Sequence, residues 1–189
     1  MIEVVAIVVP ENRIDTDKVR RLRAGARVPV HVQPRRGSPE GLPPATLAVS
    51  WLYSQIFPIE LVAAYRHGML NMHGGRIPDY RGASVMQWAI ANGERELWVT
   101  WHTIVEAIDA GPIWHEAPVA IAPTDDANDV RRNMIAAGLA SYPFAVGALF
   151  SGGVPVRLPD LSTGRVWPQR GASDGVFEAG WPIARVRNL

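Results

Sequence analysis

"MLNMHGGRIPDYRGASVMQWAIANGE", Met69–Glu94, reads as a strand, a loop and a helix in direct succession. "MLNMH" is a short apolar run with strand character, and "SVMQWAIANGE" has the apolar spacing of a helix ending at a glycine. Between them, "GGRIPDYRG" is rich in glycine and arginine and forms a loop. Side chains alternate along a strand, so Asn71 and His73 point the same way, one pleat apart, at the strand's end.

The preceding sequence repeats that strand–helix rhythm. "EVVAIVV" (3–9) is a continuous β-branched run, the pattern of a strand buried in a parallel sheet. "DTDKVRRLRAG" (15–25) follows as a short helix capped by Asp15 or Thr16, and "VPVHV" (28–32) as a second strand. "QPRRGSPEGLPP" (33–44) is loop; "TLAVSWLY" (46–53) is a third buried strand and "PIELVAAYRHG" (58–68) a helix. This alternation predicts an α/β fold, an open, mainly parallel, Rossmann-like sheet with flanking helices. Ligands bind such sheets beyond the C-terminal ends of the strands, where Asn71 and His73 lie.

After Glu94 the texture changes. "LWVTWHTI" (97–104) and "GPIWHEAPVAI" (111–121) predict an antiparallel addition. "TDDANDVRRNMIAAGLASYPFAVGALFSGG" (124–153) predicts a long helix capped by Thr124 or Asp125, with Pro143 as a bend or break. The remainder reads as loop with short strands.

The chain has 189 residues, 48% of them hydrophobic and 20% charged, ordinary for a globular protein, and length alone predicts a single domain. The net charge of +1 gives no push towards nucleic acid or an anionic membrane, and Lys18 is the only lysine. There is no cysteine, so disulfides, thiol nucleophiles and thiolate metal sites are excluded. The first residues read as a buried strand rather than a signal peptide, and no apolar stretch approaches the roughly 20 residues of a membrane helix. A cytoplasmic protein is the expectation.

Asn71 can hold a developing oxyanion, and His73 can move a proton near neutral pH. Asp109, which follows a strand and precedes an Ala-Gly-Pro turn, is the carboxylate candidate to set the histidine's state. No serine or threonine stands as an obvious nucleophile beside a base, so direct acyl transfer to an amine fits this set. Other readings stay open. Strand-end polar residues also cap sheets, Asp109 is a good turn former, and the glycines with Arg76 and Arg81 form a weak phosphate-loop signal. His73, His102, His115, Asp109 and Glu116 lack metal-ligand spacing, so no metal is expected, and His102 reads as a strand residue bonded to backbone.

"SWLYSQIFP" (50–58), "LNMHGGRIPDYRGASVMQWAIANGE" (70–94), "VTWH" (99–102), "IDAGPI" (108–113) and "RVWPQRGASDGVF" (165–177) together resemble the folate-dependent formyltransferases, over roughly residues 4 to 189. The resemblance implies that Asn71, His73 and Asp109 fill the family's catalytic positions and that N10-formyltetrahydrofolate is the donor. It implies a pterin held by the loop Tyr53, Ser54, Gln55, Ile56 and Phe57 and by the backbone at Ile108. The "GGRIP" variant of the loop looks most like enzymes that formylate amino groups of nucleotide-linked sugars, with Arg76, Tyr80 and Arg81 on the acceptor side. Methionyl-tRNA formyltransferase is the alternative enzyme, although near-zero net charge argues against nucleic acid. The sugar-modifying relatives suggest a homodimer. The expected organisation is a catalytic domain over 1–150 and a C-terminal extension over 151–189. Relatives usually begin with one further strand–helix unit, so a shortened, non-catalytic folate-binding remnant is the other alternative.

Overall fold

In the computed structural model, residues 2–176 and 180–181 are described; the end of the tail read as loop with short strands, 177–179 and 182–189, lies outside them. The chain divides into two compact units, Met1–Met69 and Leu70–Leu189.

In the first unit, strands β1 (Ile7–Pro10) and β2 (Val30–Gln33) pair in parallel, Val9 opposite Val32. Helix α1 (Asp17–Gly25) makes the crossover between them. Thr16 caps it, its hydroxyl accepting from the Val19 N–H, which satisfies one of the free donors of the first turn. Strand β3 (Ala48–Trp51) and helix α2 (Ile59–Ala63) follow in the predicted order, but the strands are shorter and less buried than the apolar runs suggest, with Val4, Val49 and Leu52 exposed. Val9, Val19 and Val62 are buried here.

The second unit is organised by three antiparallel strands, in the order β4 (Met69–His73), β6 (Glu96–Thr103) and β7 (Ile113–Ala120), with β4 beginning at the unit boundary. The two-residue strand β5 (Arg81–Gly82) and helix α3 (Val85–Ala91) lie between β4 and β6 in sequence. Helix α4 (Ala127–Phe150) packs on β6 and β7. Leu97, Val99 and Trp101 of β6 are buried on one face, and the Trp101 indole N–H donates to Ser141 of α4 (2.9 Å). Thr100 and His102 alternate to the other face, where β4 brings Asn71 and His73: the register sets Asn71 opposite His102 and His73 opposite Thr100. After α4 the chain returns, and strand β8 (Val166–Trp167) pairs in parallel with β5.

Helix α4 corrects three expectations. Its cap is Asp126, not Thr124 or Asp125: the Asp126 carboxylate accepts from the Asn128 and Asp129 N–H groups, and Asp129 closes a reciprocal capping box. It runs unbroken through Pro143, because that residue lies on the exposed side, where the carbonyl its ring frees can meet water. It is also long and apolar enough, by composition, to cross a membrane, with no charge between Arg132 and Arg157. Its inner face, with Val130, Met134, Ala145, Val146 and Leu149 buried, accounts for part of that apolarity as core packing.

Candidate active site

The loop between β6 and β7 folds back on the strand it leaves. The Thr103 N–H donates to the Pro112 carbonyl (3.0 Å), and Gly111 lies so close that an added Cβ would stand 1.8 Å from the Thr103 carbonyl oxygen. Only glycine fits there. The fold-back holds Asp109 in the left-handed region (φ 44°) and turns its carboxylate towards the strands. Beside it, the β6–β7 register shifts at Trp101/His102, a bulge of the kind that re-aims side chains near sites.

Asp109 thereby sits between two imidazoles. Its Oδ2 is 3.5 Å from His73 Nδ1 and its Oδ1 is 3.3 Å from His102 Nε2. The Gly82 N–H donates to Oδ2 at 2.8 Å. Gly82 has φ 95°, and a Cβ there would meet the Trp167 carbonyl at 2.4 Å, so β8 requires the glycine that presents this N–H.

The hydrogen bonds assign both tautomers. His73 Nε2–H donates to the Tyr80 carbonyl at 2.5 Å; a carbonyl only accepts, so in the neutral ring the free lone pair is on Nδ1, facing Asp109. His102 Nδ1–H donates to the Thr103 carbonyl at 3.0 Å, leaving Nε2 to accept from the Asn71 amide at 3.1 Å. Asn71 therefore has one hydrogen committed to His102 and a second available.

Burial drives the His73 pKa below its ordinary value of 6.5, against the upward pull of Asp109; the neighbouring His102 deepens the lowering and the Tyr80 carbonyl opposes it. Burial alone would raise Asp109, but the pull of His73, the bond and charge of His102 and the Gly82 N–H bring it down to about 2. These two shifts conflict in part. The pull of His73 on Asp109 requires a charged ring, whereas burial keeps that ring neutral near pH 7; the bond and charge of His102 likewise require a proton on its Nε2, the atom that in the neutral ring accepts from Asn71. The Gly82 bond acts whichever way the rings are protonated, so an ionised Asp109 beside a neutral His73 is the resting state the geometry supports.

The structure thus brings Asn71, His73 and Asp109 within reach of one another and adds three groups that sequence reasoning missed. His102, only 1% exposed, does bond to backbone as expected, but its other nitrogen joins Asn71 to Asp109. The alternation Trp98–Thr100–His102 put it on one strand face; only the pairing register shows that this is the face of Asn71 and His73. The Gly82 N–H and the Tyr80 carbonyl are main-chain groups, which residue identity does not reveal.

The acceptor-side candidates separate. The Tyr80 hydroxyl donates to Glu94 (2.7 Å) and accepts from Asn92 (3.0 Å), while its ring stacks on Trp167 at 5.3 Å, so its side chain is held in structural contacts. Arg76 is exposed and lies 4.7 Å over the Trp98 ring. Arg81 is half-buried, with an Nε that has no hydrogen-bond partner. In the first unit, the Tyr53 and Phe57 rings stack (4.7 Å), the Ile56 carbonyl accepts from Gln33 (3.2 Å) and Ser54 donates to Asn12 (3.3 Å). The Tyr53 hydroxyl and Gln55 Oε1 are buried without partners. Ile108 is half exposed beside Asp109. Among the described residues no group of His, Asp or Glu has the geometry to hold a metal ion.

A model of the formyl transferase family matches residues 44–146. Across 98% of this chain the backbone superposes on a HypX variant from Aquifex aeolicus with TM-score 0.69 and 17% identity, and the chain spans 35% of that protein's length. It covers 96% of itself and 96% of PseJ, a formyltransferase from Anoxybacillus kamchatkensis solved with UDP-4,6-dideoxy-4-formamido-L-AltNAc and tetrahydrofolate (TM-score 0.65, 16% identity). It also superposes, over 98% of itself and 79% of the other chain, on an N-formyltransferase from Helicobacter canadensis solved with folinic acid and dTDP-3-aminofucose (TM-score 0.66, 18% identity). At these identities the likeness shows the fold, which is the one these structures share: α/β, with mixed sheets and flanking helices.

Proposed function

The chain belongs to the formyl transferase family, and from that premise we propose that it transfers a formyl group from N10-formyltetrahydrofolate to the amino group of a nucleotide-linked amino sugar. The observation that carries the reading is Asp109 between His73 and His102, with Asn71 tied to the same cluster. This is a buried proton-accepting site beside an amide with a free hydrogen.

The acceptor amine attacks as the neutral base. As its nitrogen bonds to the formyl carbon, the carbonyl oxygen gains negative charge, and the free N–H of Asn71 is the donor for it. One such donor in a water-poor site is worth about 3–4 kcal/mol. The nitrogen becomes cationic and gives its proton to His73 Nδ1, the one ring position with a free lone pair. The imidazolium so formed faces Asp109 at 3.5 Å, which stabilises charge that did not exist in the ground state. The oxyanion then re-forms the carbonyl as the bond to the folate nitrogen breaks, and that nitrogen takes the proton from the His73 imidazolium, which returns to its neutral form. His102 fixes the Asn71 amide throughout.

On the family resemblance we assign donor recognition in the first unit to Tyr53, Ser54, Gln55, Ile56 and Phe57, and name Ile108 as the candidate in the second. A buried hydroxyl and a buried amide oxygen without partners in that loop suit a heterocycle carrying both donors and acceptors. PseJ and the Helicobacter canadensis enzyme, solved with folate and nucleotide-sugar compounds, support the substrate class. Arg76 and Arg81 are the acceptor-side candidates that keep guanidinium groups outside any ion pair among the described residues.

The test is calorimetric titration with a non-transferable N10-formyltetrahydrofolate analogue, then mass-spectrometric detection of formylated product from a panel of nucleotide-linked amino sugars. Saturable one-site binding and product formation abolished by His73→Ala support the reading. A folded protein that binds no analogue, or a His73→Ala variant with undiminished turnover, refutes it.

A further inference from the structure

Helix α4 carries an outer face that the described residues leave largely uncovered. Ala136, Leu139, Ala140, Pro143, Phe144 and Gly147 recur at intervals of three and four residues, so they form one stripe. Leu139 is 62% and Phe144 66% exposed, although the His115 ring stacks on one side of Phe144 at 5.5 Å. A Cβ added at Gly147 would meet nothing within 4 Å. A helix that faces only water places polar and charged residues on its outer side, and this one does not.

We infer that this face is the interface for a second copy of the chain, packed antiparallel about a two-fold axis at Pro143. The pattern of large and small residues identifies the occupant. An isologous contact requires residues equidistant from the axis to face each other across it. Leu139 and Gly147 are equidistant from Pro143, so each leucine enters the gap over the partner's glycine, twice. Phe144 of each copy lies beside the axis, next to the partner's Pro143 and facing the partner's Tyr142. A large–small pairing of this kind, two-fold symmetric within one helix, suits a copy of itself better than an unrelated surface.

Electrostatics agree. No charged residue lies between Arg132 and Arg157, so the two faces meet without like-charge repulsion. Antiparallel packing sets each helix's positive N-terminal end beside the partner's negative C-terminal end. The stripe spans 12 residues, about 18 Å of helix, and offers less than the roughly 800 Å² per partner of a standard interface. The dimer is therefore weak and concentration-dependent. The inference stands apart from the formyl-transfer reading, and its test does not use activity.

Sedimentation velocity of the full chain from about 1 to about 200 μM covers the range in which an interface of below-standard size associates. The wild type is expected to rise from monomer towards dimer over that range. Gly147→Glu and Phe144→Arg, both at exposed positions, are expected to stay monomeric with unchanged circular dichroism and melting temperature. Because the chain has no cysteine, Pro143→Cys introduces a single thiol at the axis, and oxidation is expected to yield a disulfide-linked dimer; Gly25→Cys on α1 is the control. A wild type that remains monomeric throughout overturns the inference, whether it stays free or co-sediments with lipid vesicles. So does a dimer that persists in both charged variants, or a Pro143→Cys chain that cross-links no faster than the control.

Discussion

Replacing Asp109 with asparagine tests the site at its centre, because it removes one charge and keeps the shape. The asparagine carbonyl can still accept from the Gly82 N–H, and the left-handed backbone at this position is one asparagine tolerates. What is lost is the attraction between carboxylate and imidazolium. At 3.5 Å and an effective dielectric constant of about 20, that attraction amounts to about 5 kcal/mol. His73 is neutral before the amine attacks, so nearly all of it acts on the charged intermediate stage and little on substrate binding. The expected result is a fall in kcat of about three orders of magnitude with KM changed less than about threefold. The same substitution removes the stronger of the two upward influences on His73, so its pKa, followed by NMR, falls further. A kcat within tenfold of wild type, or a His73 titration that does not move, refutes the assignment of Asp109 as the partner of the imidazolium.

The lowered pKa of His73 sets an acid limb to the reaction. The neutral ring is the active form, so kcat falls as pH drops through a value below 6.5, and a limb centred above 6.5 contradicts the burial argument. The sign for stability is the same. A buried neutral histidine contributes most above its unfolded value, and that contribution is lost as pH falls through the lowered folded value, which a urea titration at several pH values reads directly. Exchanging His102 for glutamine leaves Asn71 and Asp109 in place but loosens the Asn71 amide; kcat is expected to drop about 10- to 100-fold with the fold intact by circular dichroism, and unchanged kcat removes His102 from the site. Introducing alanine at Gly111 forces a Cβ to within 1.8 Å of the Thr103 carbonyl, with an expected loss of about 3 kcal/mol in urea unfolding. Asp126→Ala removes the cap of α4 and is expected to cost about 1 kcal/mol, a fall in melting temperature of about 2–4 °C for a chain of this size.

The fold was legible wherever a local pattern carried it. "EVVAIVV" and "MLNMH" announced strands, although the first begins only at Ile7, and the change of texture after Glu94 announced the antiparallel pair, because side-chain periodicity reports which faces are buried. Asn71, His73 and Asp109 were singled out by residue type, the first two at a strand's end and Asp109 in the loop that follows β6. The parts that escaped depend on three-dimensional pairing. His102 looks like any strand histidine until the register sets it opposite Asn71. Gly82 reads as a turn residue until β8 crosses it and Asp109 reaches its N–H. Tyr80 drew attention for its ring, while its carbonyl is what touches His73. At α4, propensity pointed to a break at Pro143, and packing along the opposite face held the helix through it.

Two of the groups that tune the central histidine and aspartate, the Tyr80 carbonyl and the Gly82 N–H, belong to the peptide chain itself. Side-chain substitution at the exposed Arg76 or Asp79 leaves such groups in position as long as the turn and Gly82 persist, whereas Tyr80 is tied to Glu94, Asn92 and Trp167. The loop therefore separates two kinds of inheritance. Its backbone holds His73 and Asp109 in place, while the exposed side chains at 76 and 79 can change without disturbing either contact.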